Sequence, residues 1–214
     1  MFPKSTIINK KIPKQNFYKN IELSSALKKK FVDQIESIVF TYKFSKETIN
    51  IPKTDDVEEI FVFDITLKDT KFIGKIEDLL LIIDKSVPYP ILYRFELKQD
   101  VVFKIAYKKR NLTDANRSVV DVYLTKTVCS DEMSVFEKEL SSIFNALDLK
   151  ILYDNIMKLF LHDKSWSVDE EKKYLDTLKE IDRLNDLMIK EKQADRQYVL
   201  HTKIKRLKEG IDNK

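Results

Sequence analysis

Glu96 and Lys98, one residue apart at the end of an apolar run, come nearest in this chain to a catalytic spacing. Side chains two apart in a strand share a face, so the pair would project together. With an upstream aspartate, Asp64 or Asp84, a Glu-x-Lys set of this kind can hold Mg²⁺ on two carboxylates and set the lysine beside an attacking water. That is the chemistry of a metal-dependent nuclease. The pattern is short, and it is common in a chain in which 35% of residues are charged. The same residues also read as a solvent-facing ion pair. Element order fits such a nuclease poorly, because a helix falls between the second and third strands. Asp64 lies between Phe63 and Ile65 in a strand, where aspartate is depleted. It therefore needs hydrogen-bond partners if buried, or a place on the open face of the sheet.

Other chemistries lack their residues. Gly74 and Gly210 are the only glycines, so neither a Walker loop nor a dinucleotide-binding turn can be built. His162, His201 and Cys129 are far apart, which argues against a zinc site or a Cys-His nucleophile, and no nucleophile elbow supports a serine triad. No cofactor is expected. The single cysteine excludes an intrachain disulfide and fits a reducing cytoplasm. The longest apolar run, Leu79 to Ile83, is far short of the roughly 20 residues that span a bilayer. No apolar block follows the first lysines, so neither a signal peptide nor a membrane partner is expected.

Charge is uneven. Residues 1–30 hold eight lysines against Glu22 alone, within a net charge of +4 for the whole chain. Lys10, Lys11 and Lys14 in this segment, and a second cluster of Lys108, Lys109, Arg110 and Arg117, are candidates for contact with DNA phosphates. A lysine-rich solvated surface would give the same composition.

The elements that would position these groups can be read in order. Residues 1–22, with Pro3 and Pro13, form an extended basic arm too apolar to hang free. Ser24 or Ser25 caps a helix to about Glu36. Strands follow over Ser37–Phe44 and Glu58–Leu67, and Gly74 opens a heavily apolar helix through Ile83 that Pro88 and Pro90 stop. The next strand starts at once, so a right-handed crossover joins two parallel strands. Ile91–Leu97 and Val101–Tyr107 form a hairpin turned near Gln99 and Asp100, and Val119–Val128 is a last strand. Ser134 begins a helix, Leu149–Leu161 is another, and Ser167 with Glu170 forms a capping box. From there to about Glu209 no proline or glycine occurs. Tyr174, Leu178, Ile181, Asn185 and Met188 make a heptad seam, which Leu200, Ile204, Leu207 and Ile211 resume in another phase.

The fold expected is therefore α+β: a mixed sheet of about five strands with a crossover helix, then a helical region ending in a long coiled-coil-like helix. Three parts are expected: residues 1–130 as the α+β domain with its arm, 131–163 as a helical bridge, and 167–211 as one long helix or a hairpin. The absence of turn residues favours a continuous or nearly continuous helix. Tyr174, Leu178, Ile181, Met188, Leu200, Ile204 and Leu207 then offer an apolar seam to a partner or to a second copy, unless it packs along its own domain.

Several stretches resemble a family of bacterial proteins of unknown function, about 200–250 residues long. They are FPKST, INKKIPKQNFY, ETINI, EEIFVFDITLK, IDKSVPYPILY, FKIAYK, LDLKILYDNI and KEKQADRQYVLHTKIKRLKEGI, spread over nearly the whole chain. Members of that family are typically encoded beside Swi/Snf-like helicase and type III-like restriction and adenine-methyltransferase genes. The resemblance implies a non-catalytic accessory subunit of a DNA restriction or phage-defence system, with a helicase or methyltransferase as protein partner and DNA close by. It carries no established catalytic residues. A Glu-x-Lys nuclease and a homodimeric scaffold built on the C-terminal helix are the alternatives.

Overall fold

A computed structural model describes residues 2–17, 23–110 and 118–212, the side chains of 109, 110, 118 and 212 excepted. The chain divides into two compact units, Met1–Phe160 and Leu161–Lys214.

The first unit is built on a sheet of six strands in the order β1-β2-β3-β4-β5-β6. The sixth strand, beyond the five expected, lies in the N-terminal arm. β1 (Ile7–Lys11) pairs antiparallel with β2 (Ile35–Phe44). No alternation marks β1 in the sequence, because as an exposed edge strand it has no buried face to encode. Its Lys10 and Lys11 are of the type that discourages further pairing at a sheet edge. α1 (Ser25–Gln34) precedes β2, with Ser24 Oγ accepting from the Leu27 amide as the sequence predicts. A single turn, α2 (Lys46–Ile49), interrupts the loop that leads to β3 (Ile60–Leu67).

β3 runs antiparallel to β2 and parallel to β4 (Ile91–Glu96), with α3 (Glu77–Ser86) between them as the expected crossover. The residues from Thr70 to Lys75, Gly74 included, form a 3-10 turn, and the α-helix starts only at Glu77. β5 (Asp100–Arg110) turns back on β4, and β6 (Ser118–Cys129) closes the far edge. Alternation assigns the two faces. Phe63, Ile65, Tyr93, Phe95 and Val102 pack with Phe31 of α1 and with Leu79, Leu80, Ile82 and Ile83 of α3. Each such aliphatic side chain contributes about 1.5–3 kcal/mol on burial. The opposite positions, among them Val62, Leu92 and Ile105, are buried as well. On that side α4 (Met133–Ser142) brings Phe136 to 5.0 Å from Phe103. α4 begins one residue before Ser134 and has no side-chain cap. α5 (Leu149–Lys158) is capped by Asp148, whose Oδ1 accepts from the Ile151 amide at 2.8 Å.

The second unit is a helical hairpin. α6 (Val168–Lys190) opens with the predicted capping box: Ser167 Oγ accepts from the Glu170 amide at 3.3 Å, and Glu170 Oε2 accepts from the Ser167 amide at 2.7 Å. The continuous helix favoured by the sequence is not what forms. The chain leaves α6 at Glu191 and re-enters helix as α7 (Ala194–Asp212). Side chains do the work of the missing glycine or proline. Glu191 Oε1 accepts from the amides of Lys192 and Gln193, and Gln197 Nε2 donates to the Glu191 carbonyl at 2.7 Å. The carbonyls and amides orphaned at the two helix ends are thereby partly satisfied. Ile181, Leu184 and Ile204 form the hairpin's buried core, with Met188, Leu200, Leu207 and Ile211 packed on it.

Glu180 ties the hairpin across its open flank, accepting from Arg183 Nε at 2.7 Å and from Lys203 Nζ at 2.9 Å. The hydrogen bonds from Arg183 and then Lys203 hold its carboxyl down at about 2, from an ordinary 4.5. A depressed folded value means that the bridge contributes fully above about 4.5 and is lost as pH falls through about 2. Acid titration of Glu180→Gln against the parent, followed by far-UV circular dichroism, should show the two converge over that window.

Candidate functional site

The four residues of the nuclease-like pattern sit in three places. Asp64 and Arg94 are opposite one another in the parallel β3/β4 pair. Arg94 Nε donates to Asp64 Oδ1 at 2.8 Å, and its terminal nitrogen donates to Oδ2 at 2.5 Å. Glu96 Oε1 lies 3.3 Å from the same guanidinium. Burial works against the Arg94 charge, and the bonds from Asp64 more than restore it, so its pKa lies above the ordinary arginine value. Asp64 is thus half-buried and held in a two-point pair. A cation at Asp64 would have to displace a guanidinium from both oxygens. Lys98 is exposed in the turn after β4, which ends at Glu96, so strand alternation does not extend to it.

Asp84 lies on the other side of the sheet. It is fully buried on α3, with Lys108 Nζ at 2.9 Å from Oδ1 and the Tyr123 hydroxyl donating to Oδ2 at 2.5 Å. Lys108 also donates to the carbonyls of Asp84, Val87 and Tyr89 at 3.3, 2.8 and 2.7 Å, closing the C-terminal end of α3. Burial pulls the Lys108 ammonium below the ordinary lysine value, and Asp84 offsets only part of that fall. Four oxygens around Nζ favour the charged form. Tyr93 is buried beside the carboxylate, its hydroxyl without a hydrogen bond of good geometry, and burial with the Asp84 charge pushes its ionisation well up. Tyr123 is raised for the same two reasons. A bulge at Tyr107 and Lys108 turns the β5 backbone toward α5, where Tyr153 donates to the Ala106 carbonyl at 2.5 Å and accepts from the Lys108 amide at 2.9 Å. This network is structural in form: every charged member is sealed from solvent. Among the described residues, no group of three or more His, Cys, Asp or Glu is disposed to hold a metal ion.

The basic candidates also divide. Lys10 and Lys11 are exposed on β1, whereas Lys14 Nζ is spent on the Ile35 carbonyl at 2.7 Å. Lys108 is buried and does not reach solvent phosphate. The side chains of Lys109 and Arg110, and the whole of Arg117, lie outside the described residues.

The apolar seam is where the structure differs most from its sequence reading. Ile181, Met188, Leu200, Ile204 and Leu207 meet each other inside the hairpin, so the seam that lacked a local cover has one. Leu178 is half-buried, and Tyr174 stacks on His162 at 4.7 Å and meets Trp166 edge-on at 5.3 Å. Within the second unit the exposed large apolar side chains lie elsewhere, near the hairpin's tip: Leu187 at 42% exposure, Ile189 at 79%, Tyr198 at 73% and Val199 at 65%. The heptad reading passed over these four because they fall off its seam. Their signal was four large apolar residues beside the interruption at 190–197. Tyr198 and Val199 line one shallow groove with Thr202, Lys203 and Arg206, and large apolar side chains exposed among polar neighbours are the usual form of a protein-binding patch. No helix is long and apolar enough to cross a membrane.

One family model, described as a domain of unknown function (DUF4391), matches residues 1–211. No curated protein and no solved structure matches the chain.

Proposed function

The chain belongs to the DUF4391 family of domains of unknown function, and from that premise we propose that it acts as a non-catalytic adaptor that captures a protein partner on the tip of its α6/α7 hairpin. The observation that carries this reading is the exposure of Leu187, Ile189, Tyr198 and Val199 on a hairpin whose own core is already closed by Ile181, Leu184 and Ile204. A helical element whose own buried face is already covered, yet which leaves four large apolar side chains in water, has surface to spare for binding. The resemblance of its motifs to proteins encoded beside helicase and restriction-methylation genes supports a helicase or methyltransferase as that partner, within a DNA restriction or phage-defence assembly. Lys10 and Lys11 would face the nucleic acid that such an assembly engages.

The test is affinity purification of the tagged full-length chain from its native host, with the bound proteins identified by mass spectrometry. A helicase or methyltransferase is expected. Val199→Asp together with Tyr198→Ala should weaken its capture at least roughly tenfold, as loss of an aromatic anchor at an interface does, with unchanged far-UV circular dichroism. A chain recovered alone sinks the reading.

A further inference from the structure

One side of the hairpin carries two complementary stripes. On α6, Leu178, Asp182, Asn185 and Ile189 recur at helical spacing and so share a face. On α7, His201, Lys205 and Lys208 do the same. Between them runs an open groove of about 460 Å³, with Met188 and Ile204 among its lining residues and Asn185, His201, Lys205, Lys208 and Glu209 along its walls, Glu209 lying 3.9 Å from Lys205. The helices also differ in charge. α6 holds seven acidic residues against five basic, and α7 five basic against three acidic. Asp182, Lys205 and Lys208 are exposed, and Ile189 is 79% exposed.

We propose that this groove is the interface of a homodimer, in which the α6 stripe of each copy lies over the α7 stripe of the other. A two-fold axis parallel to the helices brings acidic α6 onto basic α7 twice, so that one patch is complementary to itself as an isologous interface requires. Packing of Ile181 and Leu184 on Ile204 fixes the register and sets Asp182 within roughly one turn of Lys205 along the hairpin. In the dimer Asp182 therefore faces Lys205 and Lys208 of the second copy. Leu178 and Ile189 cover the apolar strip between Met188 and Ile204, completing a four-helix bundle. Ile189 belongs to both this face and the hairpin's tip, but Asp182, Lys205 and Lys208 are not among the tip's exposed apolar residues and Tyr198 and Val199 are not in this stripe, so the substitutions that test dimerisation and partner capture fall on different residues.

Charge exchange tests the arrangement on the full-length chain. Sedimentation equilibrium should give the parent twice its chain mass at about 100 µM. Lys205→Glu with Lys208→Glu, and separately Asp182→Lys, should each raise the dissociation constant at least roughly tenfold, because each sets like charges opposite one another at both contacts. Mixing the two variants in equal amounts should regain the dimer, since each then meets its complement at both contacts. A single chain carrying all three changes should dimerise alone and show that the altered residues are compatible with the fold. The proposal is overturned by a parent that stays monomeric, by a dimer indifferent to both variants, or by an equal mixture that fails to associate.

Discussion

Asp84→Ala should lower the unfolding free energy of the Met1–Phe160 unit by about 3–5 kcal/mol, the loss typical when one partner of a buried ion pair is removed. The residue is fully buried, and its carboxylate is shared by Lys108 and Tyr123. Its removal leaves an ammonium inside the protein with only backbone carbonyls for company, and strands a phenol whose acceptor has gone. Urea denaturation followed by far-UV circular dichroism measures the loss as a shift of midpoint at constant slope. The informative comparison is Asp84→Leu with Lys108→Met, which removes both charges and keeps the volume. It should recover most of the stability, because a well-packed apolar pair often matches a buried ionic one. A double variant as unstable as Asp84→Ala would mean that the two charges are not coupled.

Ile204→Ala should cost the hairpin about 2–5 kcal/mol, the range for truncating a large aliphatic in a core. The hairpin's buried cluster consists of Ile181, Leu184 and Ile204, with Met188, Leu200, Leu207 and Ile211 around it only partly buried, so the loss falls on a large share of its core. Trp166 is the only tryptophan and lies in this unit against Tyr174. Its fluorescence therefore reports hairpin unfolding separately from the sheet. The fluorescence transition should move to lower denaturant while the transition of the first unit stays in place. A joint shift of both would show that the two units do not unfold independently.

These two sites also show what can be read from sequence and what cannot. The crossover was legible because its signals are local: alternation in Glu58–Leu67, a run of apolar residues from Ile76, then Pro88 and Pro90. The capping box at Ser167 was legible for the same reason. Lys108 was misplaced because its neighbours in sequence are basic, which reads as surface; its actual partner, Asp84, is named by no spacing. Asp64 drew attention correctly as an out-of-place strand residue, but Arg94 becomes its partner only through the parallel register of β3 and β4. Ile181, Met188, Leu200, Ile204 and Leu207 pack at the seam's spacing, but the seam passed over the core residue Leu184, and what covers it is the hairpin's own other helix. The turn that folds one helix onto the other uses Glu191 and Gln197 as caps, a device without the glycine or proline that marks most chain reversals.

The bulge at Tyr107 and Lys108 has a mechanical consequence. One residue is tied by its amide to α5 and by its ammonium to α3, on opposite sides of the sheet. Peeling away either layer breaks a bond anchored on this same residue and opens its backbone or its ammonium to water. Lys108 is thus a point at which the two layers are joined through the thickness of the sheet, and a change at either face of the sheet is felt at the other.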